Sequence, residues 1–269
     1  MLDCLPMSKA ANNKRIILIS GAASGIGRTI AERFLSQGDA IHICDSAAEK
    51  IDEFTAANPG ATATLADIGD RDDVKRVFTD LMKHHGGLDV LVNNAGVAGP
   101  SAPVEDIDED GWDRCIRINL SGTFYMTRRA VPLLTQRANA SIVNIASTAA
   151  LFGYPLRSPY TASKWGQIGL TKTWAMELGP AGIRVNAICP TSVSGPRIEA
   201  VIRRDAEQRG LTTDEVRHVY LRHTSMRTFV SADEVADTVL FLTSDQASKI
   251  SGQSISVDGH TEGLSNWLD

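Results

Sequence analysis

A tyrosine and a lysine at helical spacing are the residues of this chain best suited to proton transfer. Tyr160 and Lys164 lie in the segment SPYTASKWGQIGL, where Pro159 suits the first turn of a helix. A free tyrosine has a pKa of about 10, so its phenolate is scarce at neutral pH. A lysine ammonium at about 4 Å favours the phenolate by roughly 4 kcal/mol at an effective dielectric of about 20, which lowers the pKa by up to roughly 3 units before the cost of burial. The pair predicts a general base, and two unrelated side chains on a surface helix are the alternative.

The elements that must position this pair alternate between strand and helix. Apolar runs predict strands over 15–20, 40–44, 61–66, 88–92, 141–146, 184–189 and 254–257. Amphipathic runs predict helices over 25–37, 47–57, 71–84, 108–136, 159–178, 198–209, 213–223 and 232–242. Strands that are apolar throughout and alternate with helices indicate a parallel sheet covered on both faces. The prediction is an α/β fold: one Rossmann-like, doubly wound, seven-stranded domain over 14–269, after a flexible arm at 1–13.

Composition excludes several classes of function. A net charge of −5 and a pI near 5.7 argue against nucleic acid or an anionic membrane as the main partner. The chain shows neither a secretory signal nor an apolar run of bilayer length. Its four cysteines are far apart and form no CxxC pair, so no metal site is expected. We expect a reduced, cytoplasmic protein.

A glycine-rich turn between the first predicted strand and helix predicts a phosphate site. The turn reads SGAASGIG over 20–27, with Gly21, Gly25 and Gly27 in a GxxxGxG spacing. Glycine allows a tight turn and lets backbone N–H groups approach a pyrophosphate at the helix N-terminus. A turn of this kind is a weak signal alone, and its position between a strand and a helix supports it.

Polar residues follow the next three predicted strands. Asp45 ends the second strand, where a carboxylate can accept hydrogen bonds from ribose hydroxyls and repel a 2′-phosphate, so it favours NAD over NADP. Asp45 is also a candidate N-cap for the next helix, and Arg28 is a candidate phosphate partner. Asp67 and Ile68 follow the third strand, where the carboxylate suits an adenine amino group. The fourth strand runs into NNAG at 93–96, which reads either as ligand-binding residues at the sheet edge or as a plain turn.

In order and spacing, these features resemble the short-chain dehydrogenase/reductase family. The matching features are SGAASGIG, Asp45, Asp67, NNAG, Asn119, Ser147, Tyr160 with Lys164, and Pro190. They span nearly the whole chain. The resemblance implies an NAD-dependent oxidoreductase that interconverts a secondary alcohol and a ketone on a small polar molecule such as a sugar, a polyol or a hydroxy acid. It also implies a homotetramer.

The resemblance assigns a role to each catalytic candidate. Ser147 would hydrogen-bond the substrate oxygen, and Tyr160 would exchange its proton. Lys164 would lower the tyrosine pKa and hold the nicotinamide ribose, and Asn119 would anchor a water that links Lys164 to solvent. Without the resemblance, Ser147 could merely close a strand and Asn119 could bond to backbone. The cofactor site it implies comprises Gly21, Ser24, Gly25, Ile26, Gly27, Asp45, Asp67, Ile68, Asn94, Ala95, Gly96, Tyr160, Lys164, Pro190 and Val193.

Residues 191–229 correspond to the family's variable substrate lid. Thr191 stands where the family usually has glycine, and Gly195 stands where it has a threonine that meets the nicotinamide carboxamide. The backbone of Val193 can still bind that carboxamide. The lid is rich in arginine, and we expect Arg197, together with Arg157 before the catalytic tyrosine, to bind an anionic or polyhydroxyl substrate. The alternative is that these arginines solvate helix faces or form surface ion pairs.

Two other functions stay open. A 3-oxoacyl thioester reductase would use the same proton relay on an acyl chain. A silent Rossmann module would bind a nucleotide without turnover, although it would have no need of the relay. At the C-terminus, Trp267 and Leu268 predict either docking on a neighbouring subunit or a frayed end.

Overall fold

The strands form one parallel sheet, as the sequence predicts. The computed structural model describes residues 14–261, so the predicted arm at 1–13 and the tail with Trp267 and Leu268 lie outside the described residues. The sheet order is β3-β2-β1-β4-β5-β6-β7. The strands are β1 (Ile16–Ser20), β2 (Ala40–Asp45), β3 (Thr62–Leu65), β4 (Val90–Asn93), β5 (Ser141–Ile145), β6 (Arg184–Pro190) and β7 (Ser254–Val257). The chain order reverses between β1 and β4, and that is where open sheets of this type bind ligands.

Helices cover both faces of the sheet, which confirms the predicted doubly wound fold. They are α1 (Gly25–Ser36), α2 (Ala48–Ala57), α3 (Arg71–His85), α4 (Glu109–Ile116), α5 (Thr123–Leu134), α6 (Ser158–Leu178), α7 (Pro196–Arg209), α8 (Thr213–Arg222) and α9 (Ala232–Leu242). Within residues 14–261, none of them has the length and hydropathy to span a bilayer.

The core has two halves because successive strand residues face opposite ways. On β1, Ile17 and Ile19 join the half that contains residues of α1 and α9. Leu18, between them, joins the half that contains residues of α3, α5 and α6. All three are fully buried. Strands covered on both faces explain the uninterrupted apolar runs in the sequence.

One predicted helix is interrupted. The stretch predicted as a helix over 108–136 consists of α4, a π-helical turn at Arg117–Gly122, and α5. A π turn widens the helix by one residue and changes the partners of its carbonyl groups, and such turns are common at functional sites. Asn119 lies in this turn, and it is fully buried.

Candidate active site

Tyr160 and Lys164 lie one turn apart on α6, as their spacing predicts. The Lys164 side chain is only 3% exposed. Its Nζ donates to the carbonyl oxygen of Ile145 at 2.8 Å and to Oε1 of Gln167 at 3.1 Å. The same nitrogen is 5.7 Å from the centroid of the Tyr160 ring. These two hydrogen bonds therefore fix the ammonium next to the Tyr160 phenol.

The surroundings of Tyr160 favour its phenolate. Burial raises the pKa of this tyrosine, whereas the charges of Lys164 and Arg197 lower it. A hydrogen bond with Ser147 and the charge of Arg157 add to the lowering. The net pKa lies below its ordinary value, as a general base near neutral pH requires.

Ser147 follows β5 and has two contacts. Its backbone is extended, and its Oγ accepts a hydrogen bond from the N–H of Ala149 at 3.2 Å at the start of a short 3₁₀ turn. Its side chain is also close enough to Tyr160 to contribute to the lowering of the phenol pKa. Ser147 therefore closes the strand and lies against the phenol, so both roles considered for it are compatible.

Asn119 is held entirely by protein groups. Its Oδ1 accepts from the N–H of Val97 at 2.8 Å, and its Nδ2 donates to the carbonyl of Val97 at 3.0 Å and to Oγ of Ser163 at 3.1 Å. Its backbone carbonyl accepts from Nε2 of Gln167 at 2.8 Å and from Oγ1 of Thr123 at 2.8 Å. The side chain of Gln167 thus connects the backbone carbonyl of Asn119 to the Lys164 ammonium.

The glycine-rich turn packs directly on the end of β4. A Cβ on Gly27 would lie 2.3 Å from the carbonyl oxygen of Gly21, and a Cβ on Gly21 would lie 2.7 Å from Cα of Ala95. Nδ2 of Asn94 donates to the carbonyls of Ser20 and Gly21 at 3.1 and 2.7 Å. Only glycine fits at these two positions. Asn94 and Ala95 therefore pack directly against the turn.

The N-terminus of α1 is open. Ser24 precedes the helix, and among the described residues no side chain caps its N–H groups. By contrast, Asp70, Thr212 and Ser231 cap α3, α8 and α9. Gly25 has a φ of +54°, and nothing lies within 4 Å of where its Cβ would be. Ile26 anchors this turn against the core half beside α1. Free N–H groups above a glycine cradle fit a dinucleotide pyrophosphate.

Asp45 adjoins this cradle. Its Oδ2 accepts from the N–H of Ala23 in the glycine-rich turn at 3.0 Å, and its Oδ1 accepts from the N–H of Ala47 at 3.1 Å. Asp45 is not the N-cap of α2, since Ala47 holds that position and lacks a side-chain cap. Nε of Arg28 pairs with Oε1 of Glu32 at 2.8 Å. The carboxylate, rather than the guanidinium, borders the turn.

The next polar positions support their own loops. Oδ1 of Asp67 accepts from the N–H of Gly69 at 2.8 Å, and Oδ2 pairs with Arg117 at 3.1 Å. Ile68 is buried against the π turn, where a Cβ on Gly122 would lie 2.8 Å from its side chain. At the end of β4, a Cβ on Gly96 would lie 3.7 Å from Nζ of Lys164. That glycine keeps the space above the lysine open.

Pro190 ends β6 and pairs with Val257 of β7. Val193, in the following loop, forms a parallel bridge with Val230, in which the N–H of Ser194 and the carbonyl of Ser192 make the bonds. The N–H and C=O of Val193 itself point the other way. Gly195 is the N-cap of α7, with a φ of +139°, so no side chain stands where the family has threonine.

Two arginines border Tyr160. The Cζ of Arg157 is 5.2 Å from the Tyr160 ring centroid, and its Nη2 donates to the carbonyl of Ala98 at 3.0 Å. Nε of Arg157 is buried and has no hydrogen-bond partner among the described residues. Arg197 is exposed in the first turn of α7, and its charge acts on both Tyr160 and Lys164. Neither forms an ion pair with a described acidic residue.

Other lid arginines follow the alternative interpretation. Arg217 pairs with Glu199 through two hydrogen bonds, and Arg209 pairs with Asp205 at 3.2 Å. These ion pairs connect or cover lid helices on the surface. Arg209 and Arg217 therefore serve in surface ion pairs, whereas the charge of Arg197 acts on the Tyr160 phenol.

Sequence reasoning missed two residues of this site. Gln167 contacts both Lys164 and Asn119, and its signal was its spacing: three residues after Lys164, on the face that carries Tyr160. Ser20 accepts through Oγ from the N–H groups of Asn94 and Ala95 at 3.1 Å each. A serine at a strand end has no distinctive spacing, so the sequence alone did not reveal this role.

Comparisons with known proteins agree with this geometry. A family model described as enoyl-(acyl carrier protein) reductase matches residues 21–261. The 3-oxoacyl-(acyl-carrier-protein) reductase FabG of Thermotoga maritima is 36% identical over 249 residues, covering 91% of this chain and 96% of that protein. The D-beta-hydroxybutyrate dehydrogenase of Rhizobium meliloti is 35% identical over 249 residues, with coverages of 90% and 96%. A solved structure of NAD+-bound xylitol dehydrogenase aligns with a TM-score of 0.87 at 29% identity, covering 91% of this chain and 98% of that chain.

Proposed function

The chain belongs to the short-chain dehydrogenase/reductase family of oxidoreductases, and from this premise we propose that it is an NAD-dependent dehydrogenase of small secondary alcohols that carry an anionic group. The observation that carries the proposal is the set of cations around Tyr160: Lys164 and Arg157 lie 5.7 and 5.2 Å from its ring centroid, and the charge of Arg197 also acts on it. Lys164 supports the proton transfer, and the two arginines select the substrate.

Proton transfer is the task of this chain's own residues. Tyr160 takes the alcohol proton in the oxidising direction and returns it in the reducing direction. Ser147 holds the substrate oxygen, and Lys164 keeps the phenolate available. Asn119 fixes the loop that follows β4 through its bonds to Val97. The bound nicotinamide supplies the hydride acceptor or donor.

Residues on three loops are assigned to NAD. The free N–H groups at the start of α1 bind the pyrophosphate above Gly21, Gly25 and Gly27. Asp45 accepts from the adenosine ribose, and its charge disfavours a 2′-phosphate. The backbone of Val193, free of its bridge, suits the carboxamide. The positive φ angles of Gly21 and Gly25 and the spacing of the three glycines support the assignment.

A hydroxy acid is the substrate class that the charges favour. Arg157 has an unpartnered, buried Nε, and Arg197 has no described acidic partner. Guanidinium groups recognise carboxylates through charge-assisted hydrogen bonds. The Rhizobium relative is named for hydroxybutyrate, which is a secondary alcohol with a carboxylate. Residues 191–229, which hold Arg197, form the substrate lid in this proposal.

A 3-oxoacyl thioester reductase is the second candidate. The Thermotoga relative, named for that activity, favours it. The two candidates share Tyr160 and Lys164 and differ in what the lid contacts. Arg157 and Arg197 suit a compact anion beside the phenol better than a long acyl chain.

NADH formation at 340 nm separates the candidates. The probes are 3-hydroxybutyrate, its methyl ester, xylitol and a 3-hydroxyacyl thioester, each with NAD+ and with NADP+. We expect kcat/KM for the acid to exceed that for the ester by at least about tenfold, the size of one charge-assisted hydrogen bond. Arg157→Ala and Arg197→Ala should each reduce this preference, chiefly through KM.

Arg203→Ala is the matched control, since Arg203 is exposed on the same helix and its charge is not among those that act on Tyr160. Equal rates for acid and ester, with no effect of either arginine substitution, would exclude the anionic substrate. A preference for the thioester would favour the second candidate instead.

A cytoplasmic homotetramer completes the proposal. Phe124 is 43% exposed and Trp165 is 50% exposed on neighbouring faces of α5 and α6, and Leu120 and Leu170 line the groove between them. Apolar faces of this kind suit a second copy of the chain. Cys44, Cys115 and Cys189 are buried free thiols, which supports a reducing compartment.

A further inference from the structure

Gln167 is a buried amide whose position the proposed reaction has not used. It lies on α6, three residues after Lys164 and seven after Tyr160, on the same inner face of the helix. Its side chain is only 1% exposed. Burial of an amide is costly unless its polar atoms are bonded, so its partners identify its role.

Those partners satisfy both the oxygen and the nitrogen of the amide. Oε1 of Gln167 accepts from Nζ of Lys164 at 3.1 Å. Nε2 donates to the carbonyl of Asn119 at 2.8 Å and to Oγ1 of Thr123 at 3.0 Å. Both amide hydrogens and the oxygen are therefore used.

The orientation of the amide is fixed by chemistry. An ammonium only donates, so it must face the amide oxygen, and a carbonyl only accepts, so it must face the amide nitrogen. The reversed amide would set two donors against each other at Lys164 and two acceptors against each other at Asn119. Gln167 thus has one acceptable orientation.

We propose that Gln167 is a positioning residue that fixes the Lys164 ammonium beneath Tyr160. This inference rests on the proposed role of Tyr160 as the proton-transfer group. Ile145 and Gln167 together engage two of the three N–H groups of Lys164, which leaves the third for the cleft. An amide accepts on oxygen and donates on nitrogen, so it holds Lys164 without passing a proton on to Asn119.

A second network bonds the backbone of Gln167, not its side-chain amide. Oγ1 of Thr171 donates to the backbone carbonyl of Gln167 at 2.8 Å and accepts from Nδ2 of Asn144 at 2.9 Å. Asn144 in turn accepts from Nδ2 of Asn93 at 2.9 Å. This second network ties the backbone of α6 to β4 and β5 and makes no contact with the ammonium.

Other charges also act on Lys164, and the experiment must separate them from Gln167. These groups are Tyr160 on α6, Arg197 on α7, Cys115 on α4 and Cys189 on β6. None of them changes when Gln167 is replaced. A shift in the titration of Tyr160 on that replacement therefore reports the loss of the amide.

The test is a pH titration of Tyr160 in the protein without substrate or cofactor. The chain has four tyrosines, so ¹³Cζ-tyrosine labelling gives four NMR signals, and Tyr160→Phe assigns the one that matters. In Gln167→Met, which keeps the side-chain length but lacks the amide, we expect the Tyr160 midpoint to rise by about one pH unit. The rise follows because the unanchored ammonium supports the phenolate less well.

Thr171→Val is the matched control, since Thr171 is equally buried in the same network and does not contact Lys164. It should lose stability without moving the midpoint. Gln167→Leu provides a second variant that should also raise the midpoint, because it too lacks an acceptor for the ammonium. A midpoint within roughly 0.3 unit of wild type in either Gln167 variant, or an equal rise in Thr171→Val, overturns the proposal. The readout needs no turnover, so it is independent of which alcohol is oxidised.

Discussion

Two titratable side chains, Lys164 and His42, are buried in polar networks in different parts of this molecule. Lys164 lies next to Tyr160 and donates hydrogen bonds to Ile145 and Gln167. His42 lies inside β2, where Nδ1 contacts Oγ1 of Thr62 at 2.7 Å and Nε2 contacts Oγ1 of Thr64 at 3.1 Å. Burial lowers the pKa of both.

The two networks differ in what they face. Thr64 donates to Oδ2 of Asp80 on α3 at 2.7 Å, and Thr62 contacts Nε2 of His85 at 2.7 Å. The His42 network therefore joins β2, β3 and α3 and includes no residue of the proposed site. The Lys164 network ends at the phenol of Tyr160, next to the charges of Arg157 and Arg197. A shifted pKa thus marks a functional residue only where it adjoins a group that can react.

The largest expected effect comes from the Lys164 network. Lys164→Met should lower kcat/KM for alcohol oxidation by about 10³-fold, since the phenolate of Tyr160 loses its nearest cation. His42→Leu should leave kcat/KM unchanged and lower the free energy of unfolding by about 2 kcal/mol, because the half-buried Thr62 and the buried Thr64 each lose a partner. Steady-state kinetics and urea denaturation on both variants measure the contrast. Equal losses of activity would show that the networks do not differ in this way.

The second effect is acid destabilisation through His42. Burial, with a smaller contribution from the charge of His85, lowers its pKa from 6.5 to about 4, while Asp80 opposes this and His84 adds to it. Below pH 6.5 His42 binds a proton in the unfolded chain, whereas in the folded chain it binds one only near pH 4 and below. Stability should therefore fall by about 3 kcal/mol as the pH drops through this window, and it should level off below it.

Denaturation at pH 7 and at pH 4.5 measures this fall. His42→Gln removes the titration while keeping hydrogen-bonding groups for the threonines, so its pH dependence should be weaker. If the variant and the wild type lose the same stability, His42 is not the group responsible.

A smaller effect, on cofactor preference, is expected at the C-terminal end of β2. Asp45 lies on the same strand as His42 but at its cleft end, next to Ala23. Asp45→Asn should raise the ratio of kcat/KM with NADP+ to that with NAD+ by about tenfold, because it removes the charge that repels a 2′-phosphate. Arg28→Ala is the control and should leave the ratio unchanged, since Arg28 is paired with Glu32. A change in the ratio with Arg28→Ala alone would reverse these roles.

The sheet could be predicted from the sequence because its strands are apolar on both faces and its helices are regular. The glycine-rich turn and the Tyr160–Lys164 pair were predictable for the same kind of reason: each depends on spacing within one short segment. The π turn around Asn119 was not, since its residues suit an ordinary helix and the widening depends on packing against Ile68 and α6.

Residues whose roles depend on distant partners were also missed. His42 is one histidine in an apolar strand, and its network comes from β3 and α3, which only the fold brings together. His85, at the end of α3, contacts Thr62 through Nε2, and burial lowers its pKa. Gln167 had a readable position, but its partner Asn119 is 48 residues away in the chain.

The most direct test of the central claim is the pH dependence of kcat/KM for NAD+-linked oxidation of the best hydroxy acid, in wild type and in Tyr160→Phe. We expect the wild-type rate to rise with pH through a pKa below 10, the ordinary value for tyrosine, because the phenolate is the base. Tyr160→Phe should lose about 10³-fold in kcat/KM and lack this rise, while it binds NAD+ as the wild type does. A phenylalanine variant that retains both the rate and the rise would contradict the assignment of Tyr160 as the proton-transfer group.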